Sequence, residues 1–95
     1  MQYIAFIHGN SDSTPTMDSW NQFLKNAKES GMFQGGSALG KRHAIGKKQA
    51  SDSTETIVRF MRFDTDDLTV LKKLLDTHPV ILNGGTIELR EMPVS

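Results

Sequence analysis

Two segments of the chain are apolar on both faces of a strand. Residues 3–8 and 56–63 are short runs rich in β-branched and aromatic side chains, a composition typical of β-strands. Successive side chains of a strand point to opposite sides, and in both segments each alternate set is largely apolar. Neither face can then meet water along its whole length, which favours the interior of a sheet. We therefore predict two central strands.

Apolar positions at helical spacing follow the first strand. They are Met17, Trp20, Phe23, Leu24 and Ala27. This stripe predicts an amphipathic helix. Before it, Thr14 or Thr16 can cap the helix and Pro15 suits its first turn. After it, Gly31 stands where a left-handed C-terminal cap is expected.

A second amphipathic helix follows the strand at 56–63. Its apolar stripe consists of Leu68, Leu71, Leu74 and Leu75. Asp64 or Thr65 can cap it, and Asp66 and Asp67 then lie in the first turn, where carboxylates suit the helix dipole. His78-Pro79 is predicted to end this helix.

Two further strands complete the pattern. The segment from Phe33 to Leu39 is strand-like, and Gly35-Gly36 within it indicates a bulge or the close approach of another backbone. Ala44 and Ile45 could continue this strand or begin a hairpin arm. Residues 86–91 alternate cleanly, with Ile87 and Leu89 on one side, which is typical of an edge strand with one wet face.

The predicted order is strand, helix, strand, strand, helix, strand. This is the order of the ferredoxin-like βαββαβ plait, an α+β fold with a four-stranded antiparallel sheet and two helices on one face. Its first and third strands are central, in agreement with the two strands that are apolar on both faces. With 95 residues, the chain has the length of a single domain, 1–95.

Two helices can cover only one face of such a sheet. The other face would expose alternate residues of both central strands, and an apolar patch of this kind calls for a partner. Parity alone leaves open which set faces the helices. Because most soluble oligomers are symmetric dimers, we predict a homodimer in which sheet packs on sheet.

The charge and composition narrow the classes of partner. Eleven Lys and Arg residues balance eleven Asp and Glu residues, which argues against general nucleic-acid binding. Cysteine is absent, so disulfides, thiolate catalysis and Cys-based zinc sites are excluded. The longest apolar run, Ile4 to Ile7, is far shorter than a membrane span, and no signal-peptide pattern is present. We expect a cytoplasmic protein with no membrane partner.

His8 is the candidate catalytic residue. It ends the first strand, and in the plait that end lies near the start of the third strand and near Gly84 and Gly85. Together with Arg59, these residues could line one ligand pocket. A histidine there can serve as a general base; the alternative is a hydrogen-bonded packing residue.

Arg59 and Arg62 lie on opposite faces of an otherwise apolar strand. A guanidinium in such a strand needs an anionic partner, and a ligand carboxylate could fill that role. The alternatives in the same sheet or in a facing subunit are Glu88, Glu91 and Asp64. Arg59 is the better ligand-binding candidate because it lies nearer the His8 end. Trp20 is either a core residue or the wall of a pocket between helix and sheet.

The remaining motifs give no specific signature of a catalytic or metal site. The basic residues of 41–48 could contact an acidic surface or phosphate, or form a solvated hairpin. Neither glycine pair has the spacing of a phosphate loop. His8, His43 and His78 have no close mutual spacing, so no metal is predicted, and no cofactor is expected.

Three stretches carry a family resemblance: 3–9 (YIAFIHG), 30–36 (SGMFQGG) and 84–93 (GGTIELREMP). They resemble the YCII-related, or DGPF-domain, proteins across nearly the whole chain. The resemblance implies a dimeric α/β barrel in which two ferredoxin-like sheets face one another. It also implies a superfamily of small-molecule isomerases, dehalogenases and monooxygenases that require no metal. The Asp-Gly-Pro-Phe motif itself is absent, and the first helix has no histidine.

Two functional hypotheses follow. The first is a dimeric YCII-like protein that binds a small organic molecule, anionic in one version, near His8 and Arg59. It could act as a cofactor-free isomerase or lyase with His8 as proton shuttle. The second is a non-catalytic homodimeric interaction module whose apolar sheet serves only assembly.

Overall fold

A four-stranded antiparallel sheet forms the frame of the molecule, whose computed structural model describes residues 1–94. Its strands are β1 (Gln2–His8), β2 (Phe33–Ala38), β3 (Ile57–Asp64) and β4 (Ile87–Met92). They lie in the order β2-β3-β1-β4. The helices are α1 (Met17–Glu29), α2 (Leu68–Asp76) and the short α3 (Pro79–Leu82), and a 3-10 helix spans Asp52–Thr56. This arrangement is the ferredoxin-like plait, and the prediction of β1 and β3 as central strands is confirmed.

Both longer helices pack on the same side of the sheet. Strand residues in the core are Tyr3, Ala5, Ile7, Met61 and Phe63, and helix residues are Phe23, Ala27, Leu71 and Leu75. The odd-numbered set of β1 therefore faces the helices. Burying this apolar layer is the main source of stability for the fold.

The opposite side of the sheet, which we call the open face, is covered by no helix within residues 1–94. Directly paired residues share a face, so the register of the ladders defines its members. They are Ile4, Phe6, Phe60, Arg62, Glu88 and Arg90. The three apolar members are only half-buried, which agrees with the expectation of a second apolar face.

A bulge changes the faces at the end of β1. The β1–β3 register shifts between Ile7 and His8, so that Ile7 pairs with Arg59 and His8 with Ile57. Val58 is the extra residue, and a bulge re-aims the side chains beside it. Arg59 belongs to the regular part of the ladder, so alternation places it on the helix side with Ile7 and Met61.

The start and end of α1 confirm the predicted caps. The Thr16 side chain accepts a hydrogen bond from the Ser19 N–H, and Gly31 follows the helix with a φ of 76°. The predicted bulge in β2 is also confirmed, because the ladder shifts between Phe33 and Gly35. A Cβ on Gly36 would meet the Phe60 carbonyl oxygen, so the close approach requires glycine.

The prediction for the start of α2 was wrong. Asp67 is the N-cap, with its carboxylate accepting from the Val70 N–H, and Asp64 and Thr65 precede the helix. The physical reason is that Asp64 still belongs to β3 and that backbone bonds hold both residues: the Asp64 N–H donates to the Met32 carbonyl and the Thr65 N–H to the Met1 carbonyl. Their backbone is therefore held in place and cannot begin a helix.

His78-Pro79 also has a different role from the predicted one. Helix α2 ends at Asp76, and His78 is the N-cap of α3, with Pro79 as its first residue. Proline is favoured at this first position because its missing N–H would be unpaired there anyway.

Ala44 and Ile45 belong to no strand. The last ladder bond of β2 runs from the Leu39 N–H to the Val58 carbonyl, and residues 39–51 then form an exposed loop. Ile45 is 97% exposed. Arg42 anchors the loop by donating to the Ser51 carbonyl and pairing with Glu55 at 2.6 Å. β2 therefore remains the edge strand of the sheet.

Replacing Asp67 with alanine tests the corrected cap. Removing a capping carboxylate leaves a helix N–H without its partner and costs about 1 kcal/mol. We expect Asp67→Ala to lower the free energy of unfolding in urea by this amount. Asp66→Ala, one residue earlier, should change it by less than about 0.5 kcal/mol. Equal losses in the two variants would contradict the assignment.

Candidate functional site

His8 lies at the end of β1 with both ring nitrogens engaged. Nδ1 is 2.5 Å from the Thr56 hydroxyl oxygen and Nε2 is 2.6 Å from Glu88 Oε1. The His8 side chain is 5% exposed, whereas that of Glu88 is 56% exposed. Glu88 pairs with Phe6 in the sheet, so the imidazole and its carboxylate lie on the open face.

Glu88 fixes the direction of one of these hydrogen bonds. An ionised carboxylate only accepts, so His8 Nε2–H donates to Glu88 Oε1. The tautomer decides whether Nδ1 accepts from the Thr56 hydroxyl or donates to it, and that hydroxyl also lies 3.0 Å from the Ser53 carbonyl. His8 can accept a proton from a substrate only after losing one of these partners.

Arg59 and Trp20 form a second group, on the helix side of the sheet. The guanidinium carbon of Arg59 lies 5.0 Å from the Trp20 ring centroid, within the range of a cation–π contact. Arg59 is half-buried and forms no ion pair within residues 1–94. The predicted pairing with Glu88, Glu91 or Asp64 is therefore not found within the protomer.

His78 lies beneath this group. Its ring centroid is 4.7 Å from that of Trp20 and 4.5 Å from that of Phe23, and it is fully buried. Nδ1 accepts from the Val80 N–H, so the neutral ring carries its proton on Nε2, which has no partner within residues 1–94. Burial, with the nearby Arg59 charge as a smaller cause, lowers the pKa of His78 to about 4.

A groove of about 350 Å³ connects Trp20 to the loop after β1. We call it the Trp20 groove. Trp20, Val58 and Val80 supply its apolar surfaces, and residues 11–15 supply polar ones. His8 lines the same groove at the end of β1, and Arg59 adjoins the groove through its contact with Trp20.

Gly84 and Gly85 support the loop beside this groove and do not line it. Gly84 has a φ of 85°, and a Cβ there would meet the Asp12 carboxylate. A Cβ on Gly85 would meet Val80. The loop is tied down by bonds from the Asp12 N–H to the Asn83 carbonyl, 2.7 Å, and from the Thr86 N–H to Asn10 Oδ1, 3.0 Å.

A separate cavity of about 410 Å³ lies on the open face. Phe6 and Ile57 contribute from the sheet, and residues 39–44 of the exposed loop form the opposite wall. The network of His8 and Glu88 is adjacent, because Phe6 pairs with Glu88.

The structure brings part of the expected pocket together. His8 and Trp20 line the Trp20 groove, and Arg59 contacts Trp20. The imidazole bonds to Glu88 on the open face. The guanidinium lies on the helix side, because Arg59 pairs with Ile7 and successive strand residues point to opposite faces.

Sequence reasoning missed His78 and the acceptor role of Glu88. The signal for His78 was present, since a residue with a side-chain acceptor followed by proline is typical of a helix start. Within residues 1–94, no three His, Asp or Glu side chains form a metal-binding group. In the same range, no helix has the length and apolarity needed to cross a bilayer.

Comparison with known proteins adds a structural likeness. No protein-family model matches the chain, and no curated protein matches it. A similar solved structure is that of 5-chloro-2-hydroxyhydroquinone dehydrochlorinase from Burkholderia phenoliruptrix, in complex with 2,5-dihydroxybenzoquinone. The two share 10% identity with a TM-score of 0.49, over 100% of this chain and 96% of that chain. A likeness at this level does not extend to function.

The buried His78 makes folding sensitive to acid. Its pKa is about 4 in the folded chain instead of 6.5, so the unfolded chain binds the proton first as the pH falls below about 6.5. Stability present above that pH is lost as the pH falls towards 4, by about 2 kcal/mol between pH 7 and pH 5.

His78→Asn, which keeps a capping side chain, should remove this part of the pH dependence in urea unfolding measured at the two pH values. The exposed His43, changed to Asn, is the matched control and should leave it intact. A His78→Asn variant with the wild-type pH dependence would contradict the assignment.

Proposed function

We propose that this protein binds a small organic anion in the Trp20 groove, with Arg59 as the group that recognises the negative charge. The observation that carries the proposal is the half-buried guanidinium that has no carboxylate partner within residues 1–94. An unpaired charge in such a place is unfavourable, and a ligand carboxylate could accept two parallel hydrogen bonds from it.

The groove suits a ligand with an apolar body. Trp20, Val58 and Val80 offer apolar contact, and a few polar groups beside such surfaces are typical of small-molecule sites. Gly84 and Gly85 contribute indirectly, by allowing the loop after β1 to pack against them. The resulting ligand class is a small carboxylate with an aromatic or aliphatic ring.

A more specific version of this proposal adds catalysis of the YCII type to ligand binding. In that version the protein is a cofactor-free isomerase or lyase, and His8 transfers the proton. The contacts of His8 set the condition: one of its bonds, to Thr56 or to Glu88, must open during the reaction. His8 lines the Trp20 groove, so a substrate bound there would lie beside the imidazole.

The second candidate function is an interaction module without a small-molecule substrate. The closed network of His8 favours it, because a buried ring with both nitrogens bonded has the features of a structural residue. In this version the open face serves assembly alone, and Arg59 stabilises the fold through its contact with Trp20.

Both versions include a homodimer formed through the open face. Ile4, Phe6 and Phe60 form a continuous apolar band across β1 and β3. None of the helices α1–α3 covers this band, and the loop of residues 39–44 faces Phe6 across the open-face cavity. Covering the band with a second copy would remove this surface from water, as expected for a symmetric dimer.

The single tryptophan of the chain makes the ligand proposal directly testable. Trp20 fluorescence should change saturably on titration with benzoate or cyclohexanecarboxylate, and much less with the uncharged benzamide. Arg59→Gln should weaken carboxylate binding by about tenfold or more, because a charged hydrogen bond contributes about 1.5–3 kcal/mol.

Arg62→Gln, which removes the same charge from the other face, is the control and should bind as the wild type does. Equal binding of benzamide and benzoate would refute charge recognition. If none of these probes changes the fluorescence or raises the melting temperature, the interaction module becomes the better account.

The dimer is tested by sedimentation equilibrium. We expect a species of twice 10.6 kDa at micromolar concentration. Phe6→Lys places a charge in the centre of the apolar band and should raise the dissociation constant at least about 30-fold. Val70→Lys, at an exposed position of α2, should have no effect. A wild-type protein that stays monomeric would contradict the proposal.

A further inference from the structure

The charges of the open face form an ordered pattern around its apolar band. In one row across the sheet, Arg62, Ile4 and Arg90 stand side by side; in the next row, Phe60, Phe6 and Glu88 do so. The rows are two residues apart along the strands, which is about 7 Å. The face therefore has a positive row and, beside it on β4, a negative position.

Arg90 is the least satisfied member of this pattern. It forms no ion pair and no side-chain hydrogen bond within residues 1–94, and it is exposed. Glu88 uses Oε1 for His8, and its side chain remains 56% exposed. A carboxylate can accept several hydrogen bonds, so Glu88 can accept another donor without releasing His8.

We propose that two copies of the chain pack open face to open face, in the register that places Arg90 against the partner's Glu88. This inference rests on the proposed dimer and specifies its geometry. A second copy is the occupant because the face is self-complementary. Arg90 lacks a carboxylate partner, and Glu88, two residues earlier on the same face, offers a carboxylate to the Arg90 of another copy.

Charge matching favours this register over the one made by an axis parallel to the strands. A two-fold axis parallel to the strands and centred on β1 would place each row over itself, with Arg62 facing the partner's Arg90, and like charges would meet. An axis across the strands, between the two rows, places Arg90 over the partner's Glu88 and repeats the pair by symmetry. The Ile4 side chain then meets the partner's Phe6.

The remaining contact is favourable as well. In the same register Arg62 lies over the partner's Phe60, where a guanidinium can form a cation–π contact. Packed sheets are about 10 Å apart, a gap that the long side chains of arginine and glutamate can span together. Every charged residue of the two rows thus gains an oppositely charged or aromatic neighbour.

A charge exchange tests this register. Glu88→Arg and Arg90→Glu should each weaken the dimer at least tenfold, because each places like charges in contact twice. Mixed in equal amounts, the two variants should form a heterodimer of near wild-type affinity, because both cross-subunit pairs are then restored. Sedimentation with a fluorescent label on one variant measures the heterodimer directly.

Controls separate the possible failures. Glu91→Arg, on β4 but on the other side of the sheet, should leave the dimer intact. A monomeric wild type overturns the dimer itself. If the wild type is a dimer but the two variants do not rescue each other, only the register is overturned. The register is also overturned if Arg62→Glu, and not Arg90→Glu, rescues Glu88→Arg.

A milder pair covers the case in which Glu88→Arg disturbs His8 and does not fold. Glu88→Gln keeps an acceptor for His8 and removes the charge. It should weaken the dimer as Arg90→Gln does, and the double variant should be no weaker than either single one, because the pair is already lost. Additive losses would overturn the proposed pairing.

Discussion

The structure depends on one constraint: its two central strands are apolar on both faces, and its helices can cover only one. On the helix side, Tyr3, Ala5 and Ile7 are buried in the core. On the other side, Ile4, Phe6 and Phe60 remain half-buried, and the charged residues of the face surround them. The proposed assembly follows from this unequal cover.

Strand alternation gives this end of the sheet two chemical environments. On the helix side, Arg59 stacks on Trp20 above the buried His78. Burial and the Arg59 charge disfavour a second positive charge there. On the open face, His8 is held between Thr56 and Glu88. An anion is suited to the first environment, whereas the second lies next to the proposed dimer contact through Glu88. Binding and assembly can therefore use opposite faces without competing for residues.

Much of the fold could be predicted because it follows from local patterns. Alternation identified the strands at 3–8 and 56–63, helical spacing identified both long helices, and their order identified the plait. The cap of α2 could not be predicted, because backbone bonds from Thr65 to Met1 and from Asp64 to Met32 hold the earlier candidates in the sheet. The site was harder to predict: alternation places Arg59 on one face with Met61 and Phe63, but only the packing of the helices decides which face of the sheet that is.

The burial of the open face is most directly measured by hydroxyl-radical footprinting over a range of protein concentrations. Oxidation of Phe6 and Phe60 should fall as the concentration rises, while oxidation of the exposed Met17 on α1 stays constant. Labelling of Phe6 and Phe60 that is the same at every concentration, in a protein that remains folded and monomeric, would contradict the account.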